Sequence, residues 1–599
     1  MKISKPGLYQ GFSAPVYNNS VRHSVYVQVH DGTKLAVDYY IPAIQMEEQK
    51  GTWPVILEFT PYDRVLYRSN GELTIESYDH YDTECSVDLY TSYGYVYARA
   101  DVRGKGASYG TRTASNSRDE AADGRDIVEW LAKQPWSTGK VGLVGSSYTG
   151  QTQLEIISMK PEHLKAACVG CTDFNHYDGW IRGGIPRAFG SNPDVTLVEK
   201  SEESSESKEK KPHFAAEQGD IMTISDAVNS TVPVDEDPDK TMLRQAIREH
   251  IDNGPQIPHF RDLHFRDSYS PYVNAPYWQI ASASTHLKEI NDSGVAMYLL
   301  GGMVDVFRRD TVIMYENLTV PKKMTIGPWS HCMTKYSPAW PVEHLRWFDY
   351  WLKGIDNGIM AEPPVLVKTL QAEMGEDYAF HQNWPAQEGT RDILYLSDGC
   401  LVEKKTDADA FIDYEGVYGI RTHVEDHLAT DVNERGLVFT GSVLDEDYRV
   451  CGHPMAHVNF SVENEGIDDV DIFCVLSDYD PATGESILVS DGRLRTSLRK
   501  THEAPYNFLG LPWHRCNEED EEKLETGKTY ELLIDMMPTS YRFKKGHRIR
   551  LALSNSLRGF YYKGKAEFEA DPEGCLRPIL RFCTGGEKAS FIELPDIYA

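Results

Sequence analysis

Apolar and polar residues alternate from about residue 24 to residue 40. Val25, Val27 and Val29 share one face, Asp31-Gly32 supplies a turn, and Leu35, Val37 and Tyr39 alternate on the return. That is the pattern of a β-hairpin. Two short apolar runs follow, 55–59 and 96–102, ending in turns at Thr60-Pro61 and Arg103-Gly104. Both read as buried strands. The period then lengthens: Ile127, Val128, Trp130 and Leu131 recur at helical spacing across 120–133. Residues 141–144 read as strand again, and 149–159 as a helix stopped by Pro161. Later strands are expected at 296–300 and 323–326. Strands alternating with helices predict an α/β fold, a largely parallel sheet with helices on both faces.

The rhythm breaks between 172 and 290. Residues 199–211 are dominated by Glu, Ser and Lys with no apolar face, the mark of a solvated loop or flexible insertion. The flanks are more helical, notably 242–251. A helical cap inserted over the sheet is the economical reading. Pro363-Pro364 reads as a linker, and beyond it come short alternating segments at 457–462, 470–476, 487–489, 530–536 and 549–553. Turn residues such as Pro481-Ala482-Thr483-Gly484 separate them, as in a β-sandwich or jelly roll. The expected division is a core over 1–171 and 291–360, a cap over 172–290, and an all-β domain over 361–599.

Composition narrows the function. The chain has 599 residues, 41% apolar and 25% charged, which suits several globular domains. A net charge of -30 repels phosphate backbones and anionic lipid, so neither nucleic acid nor a membrane surface is an expected partner. No run approaches about 18 apolar residues, and Met1 to Pro6 lacks a signal-peptide core. A cytoplasmic location is expected, and a homo-oligomer is left open. Ten cysteines are sparse and irregular. Cys168 and Cys171 form a C-x-x-C without a second pair, and they read as packing residues of a buried strand. No His/Cys cluster has ligand spacing, so no metal or organic cofactor is expected.

The chemistry concentrates at Gly145-Ser146-Ser147-Tyr148-Thr149-Gly150, between a strand and a helix. A sharp turn there lifts a serine hydroxyl above the sheet, and the helix start offers amides to an oxyanion. Ser147 fits better than Ser146 because Gly145 lies two positions before it, although the second glycine comes one position late. A serine nucleophile needs a base and the base an orienting acid, in the chain order Ser, acid, His. Asp305 follows the strand at 296–300, and His331 follows the strand at 323–326. Strand C-terminal ends are where such sites assemble. Tyr62, just after a strand end, reads either as a site residue or as a packed tyrosine.

These segments resemble the CocE/NonD hydrolase family, which includes cocaine esterase-like enzymes, α-amino acid ester hydrolases and relatives of the X-Pro dipeptidyl-peptidases. The matching motifs are Thr60-Pro61-Tyr62, Asp101 to Gly106, Gln134-Pro135-Trp136, Gly145 to Gly150, Gly302 to Phe307, Gly327 to His331, Arg346 to Gly354 and Gly546 to Arg550. They run in family order over nearly the whole chain. The resemblance implies an α/β-hydrolase core, an inserted helical cap and a C-terminal jelly roll. It implies a triad of Ser147, Asp305 and His331, and an oxyanion hole made by the Tyr148 amide and the Tyr62 hydroxyl. The expected activity is hydrolysis of small acyl esters through an acyl-enzyme. Peptide or amide hydrolysis is the alternative, and a non-catalytic binding protein the remote one. In the amino-ester branch, acidic residues two and three positions after the triad acid hold the substrate's amino group; here those positions are Phe307 and Arg308. Phe307 is expected to offer an apolar wall to the acyl group, Trp329 is expected in the substrate pocket beside it, and Asp178 is the cap carboxylate able to replace the missing charge.

Overall fold

The computed structural model describes residues 13–595 apart from 69, 76–82, 188–195, 200–220, 255–258, 260–261, 333–339, 371–377, 385–390, 421–428, 558–560, 563–564 and 567–575. Its first sheet is built from β1 (Asn19–Gln28), β2 (Lys34–Ile44), β3 (Trp53–Thr60), β4 (Val96–Asp101), β5 (Ser137–Ser146), β6 (Leu164–Gly170), β7 (Ala296–Gly302), β8 (Lys322–Gly327), β9 (Val365–Lys368) and β10 (Tyr378–His381). The spatial order is β1-β2-β4-β3-β5-β6-β7-β8-β9-β10. The first hairpin pairs Val25 with Val37. From β4 to β9 the strands are parallel, and antiparallel strands close both edges.

Strand side chains alternate between two cores, as the period of two requires. Val55, Leu57 and Phe59 pack with Ile127, Val128 and Leu131 of α2 (Arg118–Ala132) and with Leu154, Ile156 and Ile157 of α3 (Tyr148–Ser158). Ile56, Tyr97, Val144 and Tyr298 face the other way, onto Tyr90 and the Trp347-Phe348 pair. The sheet runs past residue 360 into β9 and β10. Pro363-Pro364 leads into that pairing, with the Pro364 carbonyl accepting the Met324 N–H at 2.8 Å.

Between β6 and β7 the chain forms short helices, including α4 (His176–Trp180) and α5 (Thr241–Glu249), and short two-stranded pairings. Leu243 and Ile247 of α5 pack on Val228, Val234 and Ala36. Of the acidic stretch at 199–211, Glu199 is paired with exposed Arg248 at 3.0 Å; residues 200–211 lie outside the described residues.

The last third forms a second large sheet. Among its strands are β11 (Met455–Val462), β12 (Asp471–Tyr479), β13 (Ser486–Arg495), β14 (Tyr530–Asp535) and β15 (Arg548–Ser554). Ile472, Cys474 and Leu476 enter one core with Val458, Leu532 and Leu551. Phe473 and Val475, on the opposite face of β12, meet Ile185. The C-terminal β domain therefore packs directly on the segment that follows α4. No described helix is long and apolar enough to cross a membrane.

Candidate active site

β5 ends in a turn that holds Ser147 at φ 58°, ψ -125°, a strained position for a residue other than glycine. Local chemistry maintains it. Gly145 has φ 147°, and a Cβ there would stand 2.3 Å from Thr149 Oγ1. Thr149 Oγ1 accepts the Ser146 N–H and donates to the Ser146 carbonyl, both at 2.8 Å. Thr149 thus locks the turn that it would otherwise only follow. The late Gly150 serves a separate need: a Cβ there would lie 2.7 Å from the Gly170 carbonyl of β6. Tyr148 opens α3, so its amide has no helical carbonyl to bind.

The loops after β7 and β8 zip together. Met303 N–H donates to the Gly327 carbonyl at 2.6 Å, and Val304 N–H to the Trp329 carbonyl at 3.1 Å. Asp305 and His331 are brought together by this pairing. Asp305 Oδ2 lies 2.9 Å from His331 Nδ1, and His331 Nε2 lies 2.9 Å from Ser147 Oγ. Asp305 is 1% exposed, whereas the His331 ring is 36% exposed and reachable from solvent.

Burial alone would raise the Asp305 pKa. The His331 charge, its hydrogen bond and the Phe307 N–H at 2.6 Å reverse that, and the carboxyl is held below its usual range. Burial works against protonating His331, while the Cys332 sulfur and the Asp305 carboxylate work for it; the net direction is well upward. Cys171 was expected only to pack. It is buried, and its thiol also hydrogen-bonds Asp305. Burial, then Asp305, keep that thiol protonated.

Tyr62 follows β3, with its N–H on Thr60 Oγ1 at 3.0 Å. Its half-buried ring meets the Tyr148 ring edge-on, centroids 6.4 Å apart. The next turn is braced by buried Arg64, which donates to Asp38 at 2.7 Å and Asp101 at 3.0 Å. The Tyr148 hydroxyl is bound from behind, donating to Glu120 at 2.7 Å and accepting from Arg112 and the Asn116 N–H. Arg112 and Glu120 escaped sequence reading because both are remote from the serine; the polar pair flanking a buried helix start was the available signal.

Phe307 is buried and meets the His331 ring edge-on at 5.5 Å. Trp329, the other residue expected at the pocket, is half-buried. Its ring lies over Gly327 and packs with the core of Tyr298 and Trp347. Trp180 of α4 meets Phe307 edge-on, centroids 5.9 Å apart. Asp178 is buried and committed to Arg266 at 2.8 Å, with Arg309 3.6 Å away; its Oδ2 has no hydrogen-bond partner. Arg308 points to Asp491 of the β domain, 2.6 Å away. Among the described residues, no group of three or more His, Cys, Asp or Glu side chains is arranged to hold a metal.

The family model for the X-Pro dipeptidyl-peptidase (S15 family) matches residues 31–333, and that for the X-Pro dipeptidyl-peptidase C-terminal non-catalytic domain matches residues 357–561. A Mycobacterium bovis protein named a serine esterase is 27% identical, covering 97% of this chain and 96% of its own length. Cocaine esterase of a Rhodococcus species is 24% identical over 97% of this chain and 99% of its own. A CocE/NonD family hydrolase structure from Staphylococcus aureus superposes with a TM-score of 0.73 at 18% identity, covering 97% of this chain and 94% of that one. The chain is a serine hydrolase and belongs to the X-Pro dipeptidyl-peptidase S15 family.

Proposed function

We propose that this enzyme hydrolyses small acyl esters, with Ser147 as nucleophile, His331 as general base and Asp305 as the acid that orients it. The observation that carries the proposal is the unbroken relay at 2.9 Å and 2.9 Å on a strained strand-to-helix turn. His331 Nε2 takes the Ser147 proton as Oγ bonds to the acyl carbon. The Tyr148 amide and the Tyr62 hydroxyl donate to the oxyanion. His331 then protonates the departing alkoxide, and water repeats the sequence to release the acid. No cofactor takes part in these steps.

Ester rather than peptide substrates are supported by the relatives named as esterases and by the charge around the acyl side. A dipeptidyl substrate brings an ammonium that needs a carboxylate nearby. Phe307 and Arg308 occupy the positions after the triad acid, and Asp178 already holds Arg266. The Phe307–Trp180 pair favours an apolar acyl group. In this reading the hydrolase core spans 1–171 and runs from 291 through β10 (Tyr378–His381), past the boundary at 360 that the proline pair suggested, because β9 and β10 pair into the first sheet; the cap spans 172–290, and a jelly-roll domain follows the core. A cytoplasmic site of action suits the free thiols among the described residues, seven of them buried and Cys400 exposed.

The test is fluorophosphonate labelling followed by peptide mapping, with a panel of p-nitrophenyl esters, aminoacyl esters and X-Pro anilides. Label on Ser147 is expected, as is higher kcat/KM for neutral acyl esters than for matched α-aminoacyl esters. Ser147→Ala loses nearly all turnover with an unchanged fold; Ser146→Ala keeps most of it. A clear preference for the X-Pro anilide would replace the ester reading with the peptidase one.

A further inference from the structure

Three hydrogen bonds meet at the hydroxyl of Tyr148, at the opposite end of the residue from the amide that opens α3. The hydroxyl donates to Glu120 Oε2 at 2.7 Å and accepts from the Asn116 N–H at 3.0 Å and from Arg112 Nη2. A hydroxyl has one proton to donate and two lone pairs to accept with, so this one is fully engaged. Arg112 Nε also donates to Glu120 Oε1 at 2.7 Å, which closes the three side chains into a ring. All three are buried. The Arg112 guanidinium carbon lies 5.1 Å from the centroid of the Tyr148 ring. The hydrolytic steps use none of these side-chain groups.

The local sequence explains the socket. Ser117-Arg118-Asp119-Glu120 opens α2 with the spacing of a capping box. Ser117 Oγ accepts the Glu120 N–H at 3.3 Å, as that motif requires. The acid of a capping box reaches back to the N–H of the N-cap residue; Glu120 turns its two oxygens to Arg112 and Tyr148 instead. Asn116, just before the N-cap, holds a left-handed φ of 54°, and its N–H is one of the three that meet the phenol.

Arg112 is held in turn by the chain between β6 and β7. Asn253 Oδ1 accepts the Arg112 N–H at 2.8 Å, and Asn253 Nδ2 donates to the Gly104 carbonyl at 2.8 Å. Gly254 N–H donates to the Arg112 carbonyl at 2.7 Å. Close by, Gly110 N–H donates to Glu249 Oε2 at 2.6 Å, and Thr111 Oγ1 to the Glu249 carbonyl at 3.1 Å. The approach needs a glycine: a Cβ on Gly104 would stand 2.6 Å from Asn253 Oδ1.

We propose that Arg112 and Glu120 are positioning residues of the oxyanion hole, acting through the Tyr148 phenol, and that Asn253 sets where Arg112 stands. The inference rests on the reading of the Tyr148 amide and the Tyr62 hydroxyl as oxyanion donors. Anchoring the phenol at its tip fixes the first turn of α3, and with it the amide. It also fixes the ring against which Tyr62 packs edge-on at 6.4 Å. Donors to a developing charge must be held to within about half an ångström, which packing alone does not secure.

The test uses Tyr148→Phe, Tyr62→Phe, their double variant and Asn253→Ala in the whole protein. Turnover of p-nitrophenyl butyrate is referred to active sites counted by fluorophosphonate labelling, so unfolded material does not enter. Tyr148→Phe deletes one oxygen and keeps the amide. Its kcat is expected to fall by about tenfold to a hundredfold, the scale of a misplaced catalytic group, with KM little changed. Inhibition by phenylboronic acid, whose tetrahedral adduct places an oxygen in the hole, should weaken in parallel. Because buried Glu120 loses a donor, Tm falls whether or not the phenol positions the hole, and the decision rests on kcat and boronate affinity; both unchanged overturn the proposal. In the double variant the loss should be smaller than the product of the single losses, since both act on one hole; losses that multiply overturn the action through Tyr62. Asn253→Ala should show the same kcat-selective loss in milder form, and wild-type kcat there removes Asn253 from the device. If Tyr62→Phe alone leaves kcat and boronate affinity intact, the oxyanion reading of Tyr62 falls; a loss there with none in Tyr148→Phe overturns the positioning role only.

Discussion

The Tyr62 ring meets the Tyr148 ring edge-on, so its hydroxyl can be deleted without removing the packing beside α3. Tyr62→Phe is expected to lower kcat by about 2.7–4 kcal/mol, the scale for one oxyanion donor, with Tm unmoved. An unchanged kcat would return Tyr62 to a packing role. His331 accepts a proton only when neutral, and its pKa lies well above the ordinary 6.5. Activity should therefore climb with pH along a limb displaced to the alkaline side of 6.5. In Asp305→Asn the residual activity should show that limb at lower pH, since a carboxylate that favours imidazolium is gone. A kcat/KM profile for a neutral ester, taken over about pH 5 to 9, measures both. Ser147, Asp305 and His331 were legible because each follows a strand end in a loop of small residues. Trp180, Cys171 and Arg112 were not: each reaches the site by a contact that only the fold creates, across 127 residues in the case of Trp180 and Phe307.

At the scale of elements, the start of α3 is set by how closely it approaches β6. Gly150→Ala would place a methyl group 2.7 Å from the Gly170 carbonyl, a backbone atom that cannot swing aside. The helix start must shift, carrying the Tyr148 amide with it. We expect destabilisation of about 1–3 kcal/mol, the range for overpacking, together with a fall in kcat. Circular dichroism melts and ester turnover on the same preparation would check this; a fall in Tm with kcat intact would separate helix packing from oxyanion geometry. The alternation of 55–59 and the helical spacing of 120–133 placed those elements closely, as β3 and α2. Strand limits were harder. The strand expected at 141–144 runs over Ser137–Ser146, because Ser137 pairs with Trp53 across the sheet, a long-range contact that a polar segment does not advertise. Likewise β9 and β10 belong to the first sheet although they follow a proline pair that reads as a break.

Across the whole molecule, the cap, the core and the β domain share one buried electrostatic seam. Arg309 donates to Asp535 at 2.6 Å. Asp535→Asn strands the Arg309 guanidinium, and removing one partner of a buried pair costs about 3–5 kcal/mol. Burial raises the Asp535 pKa and the Arg309 and Arg182 charges more than reverse it, so the net shift is downward. Its contribution to stability is thus full above the unfolded carboxylate's pKa and lost as pH falls through the depressed folded value. Tm measured from neutral to acid pH should fall more steeply for the wild type than for Asp535→Asn; parallel curves would show that the pair contributes nothing. The first turn of α6 (Arg308–Asn317) also has a consequence in time. Arg308 and Arg309 meet partners 183 and 226 positions further along the chain. At a synthesis rate of about 5–20 residues per second, those partners leave the ribosome roughly ten to forty seconds after the helix does. The nascent chain therefore carries Ser147, Asp305 and His331 well before it has the aspartates that neutralise the helix bearing Arg308 and Arg309.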